Sequence, residues 1–269
     1  MAIVNRTPDS FYDHGATFTD EAAKKAAHRV VSEGADIVDV GGVKAGPGSN
    51  VDVVEEIARV VPFIEWLRDT FPDQLISVDT WRAEVAQQAC AVGADLINDT
   101  WGGVDPDLPG VAAEFDAGLV CSHTGGAVPR TRPFRVNYGI SERGVVDDVV
   151  AEVTAAAERA LALGVRRDGI VVDPTHDFGK NTHHGLSLLR HVDDLVKTGW
   201  PVLMALSNKD FVGETLGVDL TERLEGTLAA TALAAADGAA MFRVHEVGPT
   251  RRVLEMVASI QGARPPTRT

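Results

Sequence analysis

An α/β fold of the (β/α)8 TIM-barrel class is what this sequence predicts, and three observations predict it. Short apolar runs alternate with longer amphipathic stretches, eight such runs can be counted, and nearly every run ends on a side chain able to do chemistry. The runs are AIVN (2–5), DIVDV (36–40), LISVD (75–79), DLIND (95–99), GLVCSH (118–123), GIVVD (169–173), PVLMALS (201–207) and AMFRVH (240–245). Each is rich in β-branched residues and is followed by Gly, Pro or polar residues, the pattern of buried parallel strands. A chain of 269 residues suits a single barrel, for which about 250 residues is usual. A doubly wound open sheet is the alternative, and a count of eight disfavours it.

The helices follow in order. Thr19 is a good N-cap for a helix over 19–33, which Gly34 stops. Residues 51–70 place Val54, Ile57, Val61, Ile64 and Trp66 near one face, with Pro62 expected to kink or split the helix. Further helices are expected over 82–92, 108–117, 142–163, 182–198, 220–237 and 249–261. The alanine-rich stretch at 224–239 suits close packing against a neighbouring helix or a second subunit. One domain is expected over 1–263, with RPPTRT (264–269) a disordered tail.

Acidic residues outnumber basic ones 39 to 25, a net charge of −14, which removes the basic face that nucleic acid requires. No apolar run approaches the roughly 20 residues of a membrane helix, and no signal peptide precedes the first strand. Two cysteines, Cys90 and Cys121, make no disulfide framework; a cytoplasmic protein is expected.

The residues at the strand ends are Asn5, Asp39, Asp79, Asn98, Asp99, His123, Asp173, Ser207, Arg243 and His245, with Lys209 just beyond. In barrels the active site lies at that end, and the loops after strands 7 and 8 form the usual phosphate site. Carboxylates and amides together suit a planar heterocycle, whose buried edge atoms each need a partner. Lys209 and Arg243–His245 suit an anionic leaving group, and Asn5, next to strand 8 on closure, suits a Mg²⁺ carried by phosphates. The plainer readings are turn formation by Asp39, N-capping by Asp79, the same ambiguity for Asn98-Asp99-Thr100, a structural His123 and a solvated Lys209. Arg243 on an apolar strand is the least bland, because a buried guanidinium needs a partner. His176, His183 and His184 lack a zinc motif and read as a solvated loop; DFG at 177–179 and GGVKAGPG at 41–48 match neither kinase nor nucleotide loops.

Seven ordered motifs resemble the dihydropteroate synthase family. NRTPDSFYDHG (5–15) is similar to N-x-TPDSFSDGG, and DVGGVKAGPG (39–48) to D-x-GGESTRPG. ISVDT (76–80) and GADLIND (93–99) resemble the third- and fourth-strand motifs. VVDPTHDFGK (171–180) is similar to DPGxGFxK, ALSNKDFVG (205–213) to GxSRKxFxG, and RVHEV (243–247) to RVHDV. The resemblance implies a barrel that joins 6-hydroxymethyl-7,8-dihydropterin diphosphate to p-aminobenzoate with Mg²⁺ and releases pyrophosphate. It implies that Asp79, Asn98, Asp173 and Lys209 hold the pterin, that Phe178 and Ser207 add to the substrate site, and that Asn5, Arg243 and His245 serve the diphosphate and its metal. Lys209, Asp173 and Arg243 would carry the catalysis, and a homodimer is implied.

The departures limit that implication. The family's Ser-Thr-Arg-Pro-Gly is Lys44-Ala45-Gly46-Pro47-Gly48 here, and the Arg of its Ser-Arg-Lys is Asn208, a neutral amide in place of a fork-shaped cation. Thr175 and Asp177 replace two glycines, so a different loop shape is expected there. The expected protein is a divergent, weak or inactive homologue; the alternative is an authentic dihydropteroate synthase whose loops use substitute residues.

Overall fold

The computed structural model describes residues 1–7, 17, 19–48, 50–130, 136–141 and 143–268. Most of the first-loop motif, including Tyr12 and His14, therefore lies outside the described residues. Among the described residues, eight parallel strands alternate with helices: β1 (Ala2–Asn5), α1 (Asp20–Ser32), β2 (Ile37–Gly41), α2 (Val53–Thr70), β3 (Leu75–Asp79), α3 (Ala83–Ala91), β4 (Leu96–Asp99), α4 (Leu108–Glu114), β5 (Gly118–Ser122), α5 (Gly144–Ala162) and β6 (Ile170–Asp173). Then follow α6 (Thr182–Arg190), α7 (Val192–Val196), β7 (Leu203–Met204), α8 (Asp210–Leu216), α9 (Leu224–Ala236), β8 (Met241–Phe242) and α10 (Val247–Ile260).

Strands β1 to β6 pair in sequence order and β7 pairs with β8. Two single bridges close the ring, Val172 with Val202 and Ala2 with Val244. Alternation along each strand sorts the side chains. Val4, Val38, Val40, Ile76, Val78, Ile97, Leu119 and Val172 face outward into a core shared with the helices. Met1, Ile37, Leu96, Val120, Val171, Leu203 and Ala205 point inward and plug the lower barrel. Above that plug the inward positions turn polar, and the site is built there.

Several local expectations need correction. Helix α2 runs unbroken through Pro62, and its buried face is Glu56, Val60, Phe63, Ile64 and Leu67, while Val54 is 74% exposed. The helix expected over 182–198 breaks at His191 (φ −129°, ψ 32°), where the ring Nδ1 sits 2.8 Å from the Ser187 carbonyl and satisfies it locally. An extra helix, α8, occupies the loop after β7, and helix α9 begins only at Leu224, behind a 3₁₀ turn at Leu220–Glu222. Strands β7 and β8 hold two residues each, because their pairing ends where the chains turn toward the rim. Alanine-rich α9 buries Thr227, Ala230, Thr231 and Ala234 and packs against α10. The tail is tied at its first residue, Arg264 to Glu255 at 3.2 Å. Among the described residues, no helix is long and apolar enough to cross a membrane.

Candidate functional site

The site grows from one register row across four strands. Asn5 pairs with Gly41, Gly41 with Asp79 and Asp79 with Asn98, so inward groups stand side by side at one level. Glycine is needed in that row: a Cβ on Gly41 would lie 3.3 Å from Asn5 Oδ1 and 3.5 Å from Asp79 Oδ2. One level lower, Asp39 stands beside Ser77, whose Oγ donates to Asp39 Oδ1 at 2.6 Å. Asp39 thus lies within the strand, fully buried, and forms no turn cap. Asp79 caps no helix either; Arg82 precedes α3, and the Ala83 amide donates to Asp105 at 2.7 Å.

Arg243 enters from the far side of the ring. Its Nε donates to Asp39 Oδ2 at 2.6 Å and its Nη2 to Asp79 Oδ2 at 2.7 Å. Burial works against this charge, and the two carboxylates more than offset it, holding the guanidinium firmly protonated. Asp79 also accepts from Thr100 Oγ1 at 2.5 Å, and Asn98 Nδ2 reaches Asp39 at 3.4 Å. Burial raises Asp79 to about 6 despite Arg243, with Asp39 adding to the rise. The adjacent Asp99 faces outward and takes the Gly103 amide at 2.6 Å, so it is the turn former of the pair.

Beyond β6 the chain forms a compact loop over 174–180. Asp173 Oδ1 accepts from the Thr175 amide at 2.7 Å, yet burial raises its pKa to about 6. Lys180, the last position of the 171–180 motif, sends its Nζ to the carbonyls of His123 (2.9 Å), Phe178 (2.8 Å) and Thr175 (3.3 Å). Burial lowers it to about 7. Phe178 is thereby fixed edge-on to Trp101, ring centroids 4.9 Å apart, with Lys209 Nζ 4.8 Å from its own centroid. Lys209 donates to the His176 carbonyl at 2.8 Å and is not merely solvated.

The two residues that stand at the glycine positions of the motif have left-handed backbone: Thr175 has φ 49° and Asp177 φ 70°. Asp and Asn tolerate this region, and a β-branched Thr there is strained. Asp177 uses its carboxylate to accept the Asp210 amide at 2.9 Å, the first residue of α8, joining the loops after β6 and β7. His176, expected in a solvated loop, is fully buried, with Nε2 3.2 Å from the Gly185 carbonyl, and His184 completes the capping box of α6. His123 pairs with Asp148 at 2.9 Å on the outer side, a structural role.

At the rim of β7 and β8, Ser207 Oγ lies 2.9 Å from His245 Nδ1. Asn208 (φ 56°) donates its Nδ2 to both Glu246 oxygens, at 3.1 and 3.2 Å. All nine predicted site residues therefore lie on one end of the barrel: Asn5, Asp79, Asn98, Asp173 and Arg243 inside it, Phe178, Ser207, Lys209 and His245 at its mouth. The partners Ser77, Thr100, Trp101, Lys180 and Glu246 were missed. For Ser77 the period-two spacing to Asp79 carried the signal.

The arrangement can bind a polar planar ring edge-on to buried carboxylates and amides, over an aromatic side chain. Known proteins resemble this chain over nearly its whole length. A family model described as pterin binding enzyme matches residues 1–245. The chain is 80% identical over 269 residues to a Mycobacterium leprae protein named inactive dihydropteroate synthase 2, covering all of this chain and 92% of that one. It is 35% identical over 259 residues to a dihydropteroate synthase of Clostridium beijerinckii, covering 95% of this chain and 91% of that one. The solved Yersinia pestis dihydropteroate synthase, in complex with a sulfonamide drug, superposes with a TM-score of 0.90 at 33% identity, covering 98% of this chain and 94% of that one.

Proposed function

The chain belongs to the pterin binding enzyme family, and from that premise we propose that it holds a pterin without efficiently converting it to dihydropteroate. The observation that carries this reading is the polar layer inside the upper barrel, where Asp79, Asn98 and Asp173 converge beside Lys209 and Phe178. A heterocycle with adjacent donors and acceptors satisfies those groups, and Phe178 gives its face an apolar contact. Asp79 and Asp173, both raised to about 6 by burial, share a proton readily with ring nitrogens.

Catalysis by this family rests on leaving-group stabilisation and on placing the amine, so it depends on loops more than on a protein nucleophile. Those loops are where the chain departs. Lys44-Ala45-Gly46 and Asn208 lack the Arg side chains of the family pattern. Each lost charge-assisted contact costs about 1–3 kcal/mol, and two together slow turnover by orders of magnitude. For Mg²⁺, the described residues contain no group of three His, Cys, Asp or Glu that could hold a metal. The amide oxygen of Asn5, beside Gly41, fits an ion held mainly by phosphate oxygens and water, where it would neutralise a leaving diphosphate. A homodimer and a cytoplasmic location complete the proposal; Leu233 on α9 and Met256 and Ile260 on α10 are exposed apolar groups suited to a second copy.

The test is pteroate formation with Mg²⁺, dihydropterin diphosphate and p-aminobenzoate, beside an active synthase, together with pterin binding by fluorescence. Binding with turnover far below the control is expected; turnover near the control would establish an authentic synthase instead. The triple change Ala45→Thr, Gly46→Arg and Asn208→Arg should lift pteroate formation above background. Among the described residues there is room for it at Gly46, where an added Cβ would meet only Lys44 Cε at 3.9 Å. At Asn208 the positive φ costs the new Arg about 1–2 kcal/mol. A triple variant that stays at background would mean that loss of these side chains does not explain the inactivity.

A further inference from the structure

The loop after β2 and the loop after β5 meet above the polar end of the barrel. Their strands are three places apart in the ring, with β3 and β4 between them, so the two loops can touch only beyond the strand ends. The contact runs from Arg130 Nε to the Gly46 carbonyl, 3.4 Å. Lys44 reaches the same glycine, its Cε lying 3.9 Å from where a Cβ on Gly46 would stand. Cations from two loops thus flank one residue that carries no side chain. We propose that Lys44 and Arg130 form a clamp for a carboxylate or phosphate group on a ligand entering the mouth of the barrel. The proposal rests on the reading of the pocket below as a pterin site.

The charge of these two groups is unspent. The other cations at this end are satisfied within the chain: Arg6 by Asp20, Arg82 by Glu56, Arg223 by Asp210, Arg243 by Asp39 and Asp79, and Lys180 and Lys209 by backbone carbonyls. Among the described residues, Lys44 and Arg130 have no carboxylate within ion-pair distance, although the chain carries 39 acidic side chains. Arg130 uses its Nε on Gly46, and its two terminal nitrogens keep the fork that fits two oxygens of one anion. Both side chains are partly exposed, so an anion reaches them without taking two bare charges out of water. The loop that carries Lys44 is also fixed at both ends before any ligand arrives. Arg59 Nη1 donates to the Gly42 carbonyl at 2.9 Å, and Arg82 Nη2 to the Val51 carbonyl at 2.8 Å. Positions 44 and 130 differ from position 46, where the family pattern has its Arg. An anion held from them is bound but displaced, which fits binding without efficient conversion.

The test is calorimetric titration of the intact protein, without added metal, with two matched pairs of probes. One pair is 6-hydroxymethyl-7,8-dihydropterin and its diphosphate; the other is p-aminobenzamide and p-aminobenzoate. In at least one pair the wild type should bind the charged member at least about tenfold more tightly than the neutral one. The double variant Lys44→Ala with Arg130→Asn should lose that preference and bind the neutral members as the wild type does. Asn is chosen because it tolerates the φ of 63° at position 130, and a melting curve checks folding. A preference confined to the pterin pair identifies phosphate as the clamped group, and one confined to the arylamine pair identifies carboxylate. A wild type with no preference in either pair, or a folded double variant that keeps it, overturns the proposal. If the uncharged pterin does not bind, the pterin reading fails separately, and inorganic pyrophosphate decides the clamp. Binding about tenfold weaker in the double variant than in the wild type supports it, and equal or absent binding overturns it.

Discussion

Asp173 answers two opposed demands. In the proposed site it presents an acceptor to the ligand, and it is buried there. Burial raises it to about 6 against the pull of the Thr175 amide and Lys209. Its unfolded value lies near 4, so between about 4 and 6 the folded state holds a proton that the unfolded chain has lost. Stability therefore falls as pH rises through that window and levels off above it. Asp173→Asn removes the buried charge and keeps an acceptor for the Thr175 amide. It should gain roughly 1–2 kcal/mol at pH 7 and nothing below about pH 4, measured by urea unfolding at both pH values, while pterin binding falls. No gain at pH 7 would show that the carboxylate is not strained. Arg243→Ala should act oppositely, costing about 3–5 kcal/mol because Asp39 and Asp79 are left without their counter-charge. At this scale the sequence was informative about strand ends, since a polar residue at an inward position of an apolar run is costly unless it is paired or binds something. The motifs contain Lys180 and Glu246 but do not tell what they hold, because their partners are backbone carbonyls and residues far along the chain, and contacts of that kind leave no local spacing.

The loop over 174–180 works as one element, and Lys180 is its pin. Three carbonyls from 123, 175 and 178 converge on one ammonium, and that convergence holds Phe178 under the pocket. Lys180→Met keeps the length of the side chain and withdraws every donor. The loop should then open, with an expected cost of about 1–3 kcal/mol, faster proteolysis within 174–181, and weaker pterin binding. Unchanged proteolysis would mean that the Asp177 link to α8 is sufficient to hold the loop. The backbone here also shows why loop shape is hard to read from residue types. Glycine is the usual occupant of left-handed positions, but Thr175 and Asp177 adopt the same φ because hydrogen bonds on either side offset the strain. Similarly, helix breaks such as the one at His191 follow from a side chain capturing a carbonyl, and periodicity alone does not register that competition.

The whole barrel is unevenly sealed, and half of the proposed site stands at the part with the shortest register. Register pairs run along β1 to β6 with four or five residues in most pairings, for example Ile37 to Gly41 against Leu75 to Asp79. The seams flanking β7 and β8 have one paired bridge each, with Val172 donating to the Pro201 carbonyl on one side and, on the other, the Met1 ammonium to Phe242, Val244 to Met1 and Ile3 to Val244. Yet Ser207, Lys209, Arg243, His245 and Glu246 all stand on β7, β8 and the turns that follow them. A short paired register means a lower local opening energy. Amide hydrogen exchange should therefore be faster at Met204, Phe242 and Arg243 than at Val38, Val40 and Val78. A pterin that bridges Asp79 and Asn98 on one side to Lys209 on the other would tie the weak third of the barrel to the strong part, so saturating ligand should slow exchange most at β7 and β8. Equal slowing around the ring would mean that the ligand contacts only the β2–β4 side, and would remove Lys209 from the binding site. The eightfold pattern was legible because each strand repeats one chemical motif; the unevenness of the seams was not, because pairing length depends on how neighbouring strands meet at closure.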